Sequence, residues 1–116
     1  MYKIIIAGTR TFNNYDLLKS TLNNFIKNKS DIEIVSGTCA GADLLGEKYA
    51  VENNLPIKRF PANWYKYGKA AGPIRNKQMA EYADACIVFW DGQSRGTKSM
   101  ISLAKENGLK VQVILF

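Results

Sequence analysis

Histidine is absent from this chain of 116 residues. Its absence excludes hydrolases built on Ser-His-Asp or Cys-His pairs, because imidazole is the base in both. It also argues against a zinc site, since histidine and cysteine are the usual zinc ligands. We therefore expect no bound metal, and we assign no catalytic residue.

Cysteine and long apolar runs are also scarce. The chain has two cysteines, Cys39 in a glycine-rich turn and Cys86 in an apolar run, which is not a disulfide framework and favours a reducing, cytoplasmic location. No apolar run approaches the roughly 20 residues that span a bilayer, so we expect no membrane association. Met1 leads almost directly into a strand, so we expect no signal or transit peptide.

Acidic residues are outnumbered, 10 against 16 basic ones, and the net charge is +6. Such an excess favours anionic partners: phosphates, nucleotides, nucleic acid or an acidic protein. The charge does not choose among them, and a basic surface without any anionic partner would give the same number. The length and the 47% hydrophobic content predict one domain, residues 1–116, with one core.

Apolar, β-branched runs alternate with amphipathic stretches along the whole chain. The runs predict five strands at 3–8, 32–36, 57–60, 85–90 and 111–116, with four helices between them. A long aromatic loop, 61–72, precedes the third helix, which we expect to begin at Pro73. Strands that alternate with helices pair in parallel through right-handed crossovers. We therefore predict an α/β, Rossmann-like, doubly wound sheet in the order 3-2-1-4-5.

Three glycine-bearing turns follow strands 1, 2 and 4. In the predicted order the chain reverses between strands 1 and 4, and ligands of such sheets bind there, at the carboxyl ends of the strands. Glycine lets a phosphate approach the free N–H groups of a helix start, and arginine can pair with phosphate oxygens. The resulting ligand-binding candidates are Gly8, Thr9, Arg10, Ser36, Gly37, Gly41, Asp43, Asp91, Ser94, Arg95, Gly96 and Thr97.

Each turn also has a purely structural interpretation. A glycine at a strand-to-helix turn is commonly just a tight-turn former, and Asp43 could simply stabilise the helix dipole rather than bind a ribose hydroxyl. The convergence of three such turns on one edge favours a phosphate site. The dinucleotide fingerprint GxGxxG and the P-loop signature are both absent, which disfavours an NAD dehydrogenase or a P-loop ATPase, and we expect no resident cofactor.

The aromatic loop and the third helix add further candidates. Arg75 and Asn76 fall in the first turn of that helix, which we expect to face the same crevice. Trp64 and Tyr67 are candidates for stacking on a base. Trp64 could equally act as a lid on the core, and Tyr67 could be a surface residue.

Seven short segments along the chain together form a recognisable pattern. They are GTR at 8–10, SG at 36–37, GAD at 41–43, FPANW at 60–64, YGKAAGPIRN at 67–76, FWDG at 89–92 and SRGT at 94–97. In these segments the chain resembles the YspA-like, YpsA-related branch of the SLOG superfamily, which includes the LOG nucleotide phosphoribohydrolases and the DprA/Smf DNA-processing proteins. The resemblance implies a Rossmann-like fold and binding of nucleotides or nucleotide-derived signals, including ADP-ribose-type messengers.

One departure from the family pattern bears on activity. LOG enzymes have a PGGxGTxxE turn whose glutamate takes part in cleaving the N-glycosidic bond. Aligning Gly96-Thr97 with that turn puts Met100 at the glutamate position, and the Pro-Gly-Gly is absent. The resemblance therefore favours binding over catalysis, although Asp43 or Asp91 could supply a carboxylate instead.

Three functions remain open on the sequence. The first is binding of an ADP-ribose-type or cyclic nucleotide signal, as a sensor or as a phage-encoded sponge that removes a defence signal. The second is a nucleotide N-glycosidase. The third is single-stranded DNA binding like that of DprA, which ranks last because the chain carries no added DNA-binding domain. We expect a homo-oligomer, since relatives often dimerise and the sheet has an open edge.

Overall fold

The computed structural model describes residues 1–116 and contains one five-stranded parallel sheet. The strand order is β3-β2-β1-β4-β5, as the sequence predicted. β1 and β4 lie side by side, with Ile4 opposite Ala85 and Gly8 opposite Phe89, so the order reverses between these two strands. The strands are β1 (Tyr2–Gly8), β2 (Ile32–Ser36), β3 (Ile57–Arg59), β4 (Ala85–Trp90) and β5 (Lys110–Leu115).

Four long helices cover the two faces of the sheet, again as predicted. The helices are α1 (Tyr15–Phe25), α2 (Ala42–Glu52), the single turn α3 (Trp64–Tyr67), α4 (Ala71–Tyr82) and α5 (Arg95–Glu106). α1 and α2 pack on one face, where Leu22 and Tyr49 join Ile4 in a buried cluster. α4 and α5 pack on the other, where Met79 and Met100 join a second cluster. Because both faces are covered, four consecutive residues of the central strand β1, Ile4 to Ala7, are buried and apolar.

The segment predicted as a loop before Pro73 is more regular than expected. It contains α3 and a 3-10 turn (Gly68–Ala70), and α4 begins at Ala71 rather than at Pro73. The side chain of Asn63 caps α3 by accepting a hydrogen bond from the Lys66 N–H at 3.0 Å. Pro73 fits inside the first turn of α4 because the N–H groups there have no partner within the helix.

Glycine and asparagine mark several element boundaries. Asn14 caps α1 through a 3.0 Å hydrogen bond from the Leu17 N–H, and Gly108, with φ of 74°, closes α5 in the left-handed conformation. β3 is one residue shorter than predicted and ends at Arg59, although the Phe60 N–H still donates to the Ser36 carbonyl at 2.8 Å.

None of the helices has the length and apolarity that crossing a membrane requires.

Candidate functional site

A cleft of about 200 Å³ opens at the carboxyl edge of the sheet, between the ends of β1 and β4. The crossovers that leave β1 and β4 pass to opposite faces of the sheet, so no helix covers this point. α4 and the start of α5 form one side, and the loops after β1 and β2 form the other. The lining residues are Ala7, Gly8, Arg10, Cys39, Asp43, Trp64, Gly72, Pro73, Arg75, Asn76, Met79, Ser94, Gly96, Thr97, Ser99 and Met100.

A second cavity of about 340 Å³ adjoins the cleft on the side of β2 and β3. We call it the β2-side cavity. Two segments line it: Gly37, Thr38 and Ala40 from the loop after β2, and Pro61 and Ala62 from the segment after β3. Its remaining lining residues, Arg10, Cys39, Trp64 and Arg75, also line the cleft, so these four residues form the border between the two spaces.

Arg75 and Asp43 both approach Gly37 on the side where a β-carbon would project. A β-carbon on Gly37 would lie 2.8 Å from Arg75 Nη1 and 2.8 Å from Asp43 Oδ2, so this position has room only for glycine. Arg75 is buried and donates from Nη1 to the Gly37 carbonyl, and from Nε to Asn76 Oδ1 at 2.9 Å. Two fixed hydrogen bonds therefore hold the guanidinium in place at the cleft wall.

Asp43 is a buried carboxyl group in the first turn of α2, with only 5% of its surface exposed. Its Oδ2 accepts a hydrogen bond from the Cys39 N–H at 3.1 Å, whereas Oδ1 has no partner within the protein. Burial raises the pKa of Asp43 to about 6, against the opposing effects of the Cys39 N–H and of Arg75. The group can therefore hold or release a proton near neutral pH.

The loop after β2 is held in place by a chain of polar side chains. Ser36 is fully buried; its hydroxyl donates to Glu47 Oε2 at 2.7 Å and accepts from the Thr38 N–H at 3.0 Å. Glu47 in turn accepts from Arg59 Nε at 2.9 Å. Ser36, predicted as a ligand contact, instead positions the loop that carries Gly37 and Cys39.

Thr9 and Asp91 have a similar supporting role on the other side. Thr9 is buried, and its hydroxyl accepts a hydrogen bond from the Asp91 N–H at 3.2 Å. Asp91 Oδ1 accepts from the N–H groups of Ser94 at 2.9 Å and Gln93 at 2.8 Å, and these bonds lower the pKa of Asp91. Neither side chain lines the cleft, although both hold the turn that leads into α5.

Gly41 is required for close packing rather than for ligand approach. It has φ of 84°, and a β-carbon there would lie 2.5 Å from the Thr9 carbonyl oxygen. It therefore joins the loop after β1 to the start of α2 without lining the cleft. Gly8 does line the cleft, and a β-carbon there would lie 2.2 Å from the Phe89 carbonyl oxygen.

The structure brings most of the predicted ligand-binding residues together. Those that line one or both cavities are Gly8, Arg10, Gly37, Asp43, Trp64, Arg75, Asn76, Ser94, Gly96 and Thr97. Arg95 and Tyr67 are exposed and line neither. Trp64 is half exposed and lines both cavities, and a β-carbon on Gly72 of α4 would lie 3.4 Å from its indole ring.

Sequence reasoning did not identify Ser99, Met79 or Pro73 as cleft residues. Met79 belongs to the second buried cluster and also lines the cleft. Ser99 lies on the same helix as Gly96, nearly one turn later, and that spacing is the signal that could have found it.

The start of α5 offers unpaired donors to the site. Ser94 caps this helix, with its oxygen 3.4 Å from the Thr97 nitrogen, whereas the N–H groups of Arg95 and Gly96 donate to no protein atom. α2 begins at Gly41 without any side-chain cap. Free N–H groups at helix starts favour anions.

The chain contains no cluster of three histidine, cysteine, aspartate or glutamate side chains arranged to hold a metal ion.

Comparisons with known proteins agree with this geometry. A family model described as the YspA, cpYpsA-related SLOG family matches residues 2–67. The chain is 28% identical to the Gene 61 protein of Mycobacterium phage D29 over 121 residues, which covers 96% of this chain and 94% of that protein. The X-ray structure of DNA processing protein A (DprA) from Streptococcus pneumoniae matches all of this chain with a TM-score of 0.80 and 19% identity. The chain spans about half, 51%, of that DprA chain, and the likeness shows a shared fold.

Proposed function

The chain belongs to the YspA, cpYpsA-related SLOG family, and from that membership we propose that its cleft binds a phosphorylated, nucleotide-derived ligand. The family and the fold shared with DprA support a nucleotide- or DNA-related binding role in broad terms. The finer proposal is a soluble signal of the ADP-ribose or cyclic nucleotide class. The protein would act as a sensor or as a sponge that sequesters the signal.

The observation that carries this proposal is the meeting of Arg10 and Arg75 in one cleft at the switch point of the sheet. Arg75 is fixed and buried, and Arg10 is exposed, so one guanidinium is preorganised and the other can close on an incoming anion. Two arginines beside free helix N–H groups match the charge and donor geometry that phosphate oxygens need.

The polar side chains of the cleft complete a site for a sugar. Asp43 Oδ1 is unpartnered, and the Asn76 Nδ2 group donates only a long, 3.4 Å, hydrogen bond to the Gly96 carbonyl, whereas Asn76 Oδ1 is held by Arg75 Nε. Asp43 Oδ1 can therefore accept from a ribose hydroxyl, and Asn76 Nδ2 can donate to one, without breaking a strong internal bond. This combination favours a nucleotide or a ribosyl phosphate over inorganic phosphate alone.

Binding without turnover is supported by the identity of the residue at position 100. Met100 lines the cleft, one turn after Gly96, where a phosphoribohydrolase would place its glutamate. A thioether cannot donate or take a proton at the glycosidic bond. The similarity to a phage protein is compatible with a sponge role, and a sponge would release its ligand chemically intact when the protein is denatured.

Ligand-dependent thermal stabilisation and calorimetry with a panel of mono-, di- and cyclic nucleotides test the proposal. A bound ligand at 100 times its Kd should stabilise the fold by about 2.7 kcal/mol. Arg10→Gln should weaken binding about ten- to a hundredfold, because it removes a charge-assisted hydrogen bond. Lys98→Gln removes the same charge from an exposed site outside the cleft and should leave affinity nearly unchanged. If no nucleotide shifts the melting temperature, the proposal is wrong.

A second candidate, hydrolysis of an N-glycosidic bond, is favoured by one observation: Asp43 is a buried acid with a pKa near 6 that faces the cleft. Its carboxyl proton would pass to the leaving base, water would add to the anomeric carbon, and the carboxylate would take the proton that the water loses. Asp91 is a poorer candidate, because its carboxylate holds the loop outside the cleft. Chromatographic detection of free base, lost in Asp43→Asn, would support this candidate; unchanged nucleotide would count against it.

A third candidate, binding of single-stranded DNA, is supported by the exposed aromatic side chains of α3. Tyr65 is fully exposed, and Trp64 and Tyr67 are partly exposed beside Lys66 and Lys69. Bases stack on such side chains, and the affinity should fall steeply as salt rises. Fluorescence anisotropy with labelled oligonucleotides tests it, and binding that does not change between low and high salt would contradict it.

A further inference from the structure

We propose that the site takes a two-part ligand whose halves are joined through phosphate, with one half in the cleft and the other in the β2-side cavity. This inference rests on the proposed function and adds the size and arrangement of the ligand. It separates a linked, dinucleotide-like molecule from a mononucleotide, which would need only one of the two spaces.

The border between the two spaces carries the argument. The cleft and the β2-side cavity share Arg10, Cys39, Trp64 and Arg75. The two arginines are the only charged residues that line the β2-side cavity, and both lie at the border. A ligand with a single terminal phosphate would occupy these arginines and leave one space empty. A phosphate that links two halves would use both arginines and both spaces.

The two spaces differ in chemistry in a way that suits different halves. The cleft has hydroxyl, amide and carboxyl groups from Ser94, Thr97, Asn76 and Asp43, which can pair with sugar hydroxyls. The β2-side cavity is lined, away from the border, by Gly37, Thr38, Ala40, Pro61 and Ala62, which are small and uncharged. Such walls beside the Trp64 indole suit a flat, neutral ring such as a base.

The sizes point the same way. Sites for small organic ligands commonly enclose about 300–1,000 Å³. The cleft alone, at about 200 Å³, falls short of that range, whereas the cleft and the β2-side cavity of about 340 Å³ together fall within it. The β2-side cavity alone only just reaches the lower end of the range, and it lacks the polar groups of the cleft. A ligand that uses those polar groups therefore fills a space of the usual size only if it extends across the border.

Calorimetry with four ligands of matched chemistry tests the inference. Two are two-part molecules, ADP-ribose with a pyrophosphate link and cyclic di-AMP with phosphodiester links. The other two, AMP and ribose 5-phosphate, are single parts. We expect at least one two-part ligand to bind ten times or more tightly than either part. Comparing ADP-ribose with cyclic di-AMP then identifies the kind of link.

Two variants fill one space each. Ser99→Phe projects into the cleft and Ala62→Phe into the β2-side cavity. Both should weaken the two-part ligand at least tenfold, whereas only one of them should weaken AMP. Ser102→Phe, exposed on the same helix, and Ala70→Phe, exposed beside α4, are the matched controls and should change neither affinity.

Folding of each variant is checked by its melting temperature. If Ala62→Phe does not fold, Ala40→Phe fills the same cavity from an exposed position. If Ser99→Phe does not fold, Gly96→Phe takes its place, because no atom lies within 4 Å of a β-carbon on Gly96. The inference is overturned if AMP binds as tightly as the two-part ligands and only one filling variant matters; nucleotide binding then stands. If no ligand of the four binds wild-type protein, the proposed function falls as well.

Discussion

Replacing Asp43 by asparagine should make the folded protein more stable at neutral pH, although the side chain is buried and hydrogen-bonded. Asparagine keeps an oxygen that can accept from the Cys39 N–H, as Asp43 Oδ2 does at 3.1 Å. It removes the negative charge that burial disfavours. The effect should depend on pH, because the carboxyl is charged only above its pKa.

The direction of the pH dependence follows from the pKa shift. In the folded protein the pKa of Asp43 is raised from 3.8 to about 6, chiefly by burial and also by Glu47, against the opposing effects of Arg75 and Arg10. Below pH 3.8 the carboxyl is neutral in both states, so it does not destabilise the wild type. Between pH 3.8 and about 6 the unfolded state has released its proton and the folded state still holds it, so the folded state is progressively destabilised as the pH rises. Above about pH 6 both states are ionised and the penalty stays constant.

The shift sets the size of the effect. About two pKa units at about 1.4 kcal/mol each correspond to a penalty of about 3 kcal/mol that is fully developed at pH 7.5. At pH 4.5 only about 1 kcal/mol of it is present. The gap in unfolding free energy between Asp43→Asn and wild type should therefore widen by about 2 kcal/mol between these two pH values.

Urea unfolding at pH 4.5 and 7.5, followed by tryptophan fluorescence, measures the gap. Comparing the gap at the two pH values cancels any constant effect of the substitution. Asp91→Asn is a control of opposite sign, because hydrogen bonds from Ser94 and Gln93 lower the pKa of Asp91. The ionised Asp91 carboxylate stabilises the folded protein above pH 3.8, and this stabilisation is lost as the pH falls through the folded pKa of Asp91. Asp91→Asn should therefore be less stable than the wild type at pH 7.5. A gap for Asp43→Asn that stays constant or shrinks towards pH 7.5 would refute the reasoning.

Three further outcomes follow from the site. Gly37→Ala should weaken nucleotide binding at least tenfold in calorimetry, because its β-carbon would lie 2.8 Å from Arg75 Nη1. Ser102→Ala, at an exposed position that lines neither the cleft nor the β2-side cavity, is the control, and equal affinities of the two variants would contradict the expectation. Glu47→Gln weakens the charge-assisted hydrogen bonds that Glu47 accepts from Ser36 and Arg59. It should lower the unfolding free energy measured in urea by about 1–3 kcal/mol and speed hydrogen exchange at the Thr38 N–H, which donates to Ser36. Unchanged exchange at Thr38 would show that the loop does not depend on Glu47. The Cys86 thiol is buried and its pKa is raised to about 12, whereas Cys39 is half-buried at the cleft. A thiol reagent should therefore label one cysteine in the native protein and two in denaturant. Labelling of both thiols in the native protein would argue against this packing.

The sheet could be predicted because its signals are local. β-branched runs such as Ile4–Ile6 specify buried strands, and the strand-to-helix alternation restricts the pairing to parallel. The exception was the segment before Pro73. Its glycines and proline indicated a loop, whereas a single cap from Asn63 and the packing of Trp64 on Gly72 stabilise a helical turn. Those contacts depend on the final position of α4.

It was easier to predict which residues lie at the site than to predict what each of them does there. Turns at the carboxyl ends of neighbouring parallel strands must meet, so Arg10, Asp43 and Gly96 could be grouped from their positions alone. The supporting roles of Ser36 and Thr9 depend on hydrogen bonds to Glu47 and to Asp91, 11 and 82 residues away. No local pattern distinguishes a hydroxyl that faces a ligand from one that faces a distant backbone.

The pairing of β1 with β4 has a consequence for how the protein is made. β1 is synthesised well before one of its two neighbours, β4, which ends at Trp90. A nascent chain that ends before β4 therefore exposes one edge of the β1 strand, and it lacks the Ser94–Thr97 side of the cleft. The cleft can form only after the start of α5 has left the ribosome, so a product truncated before α5 would lack one wall of the cleft.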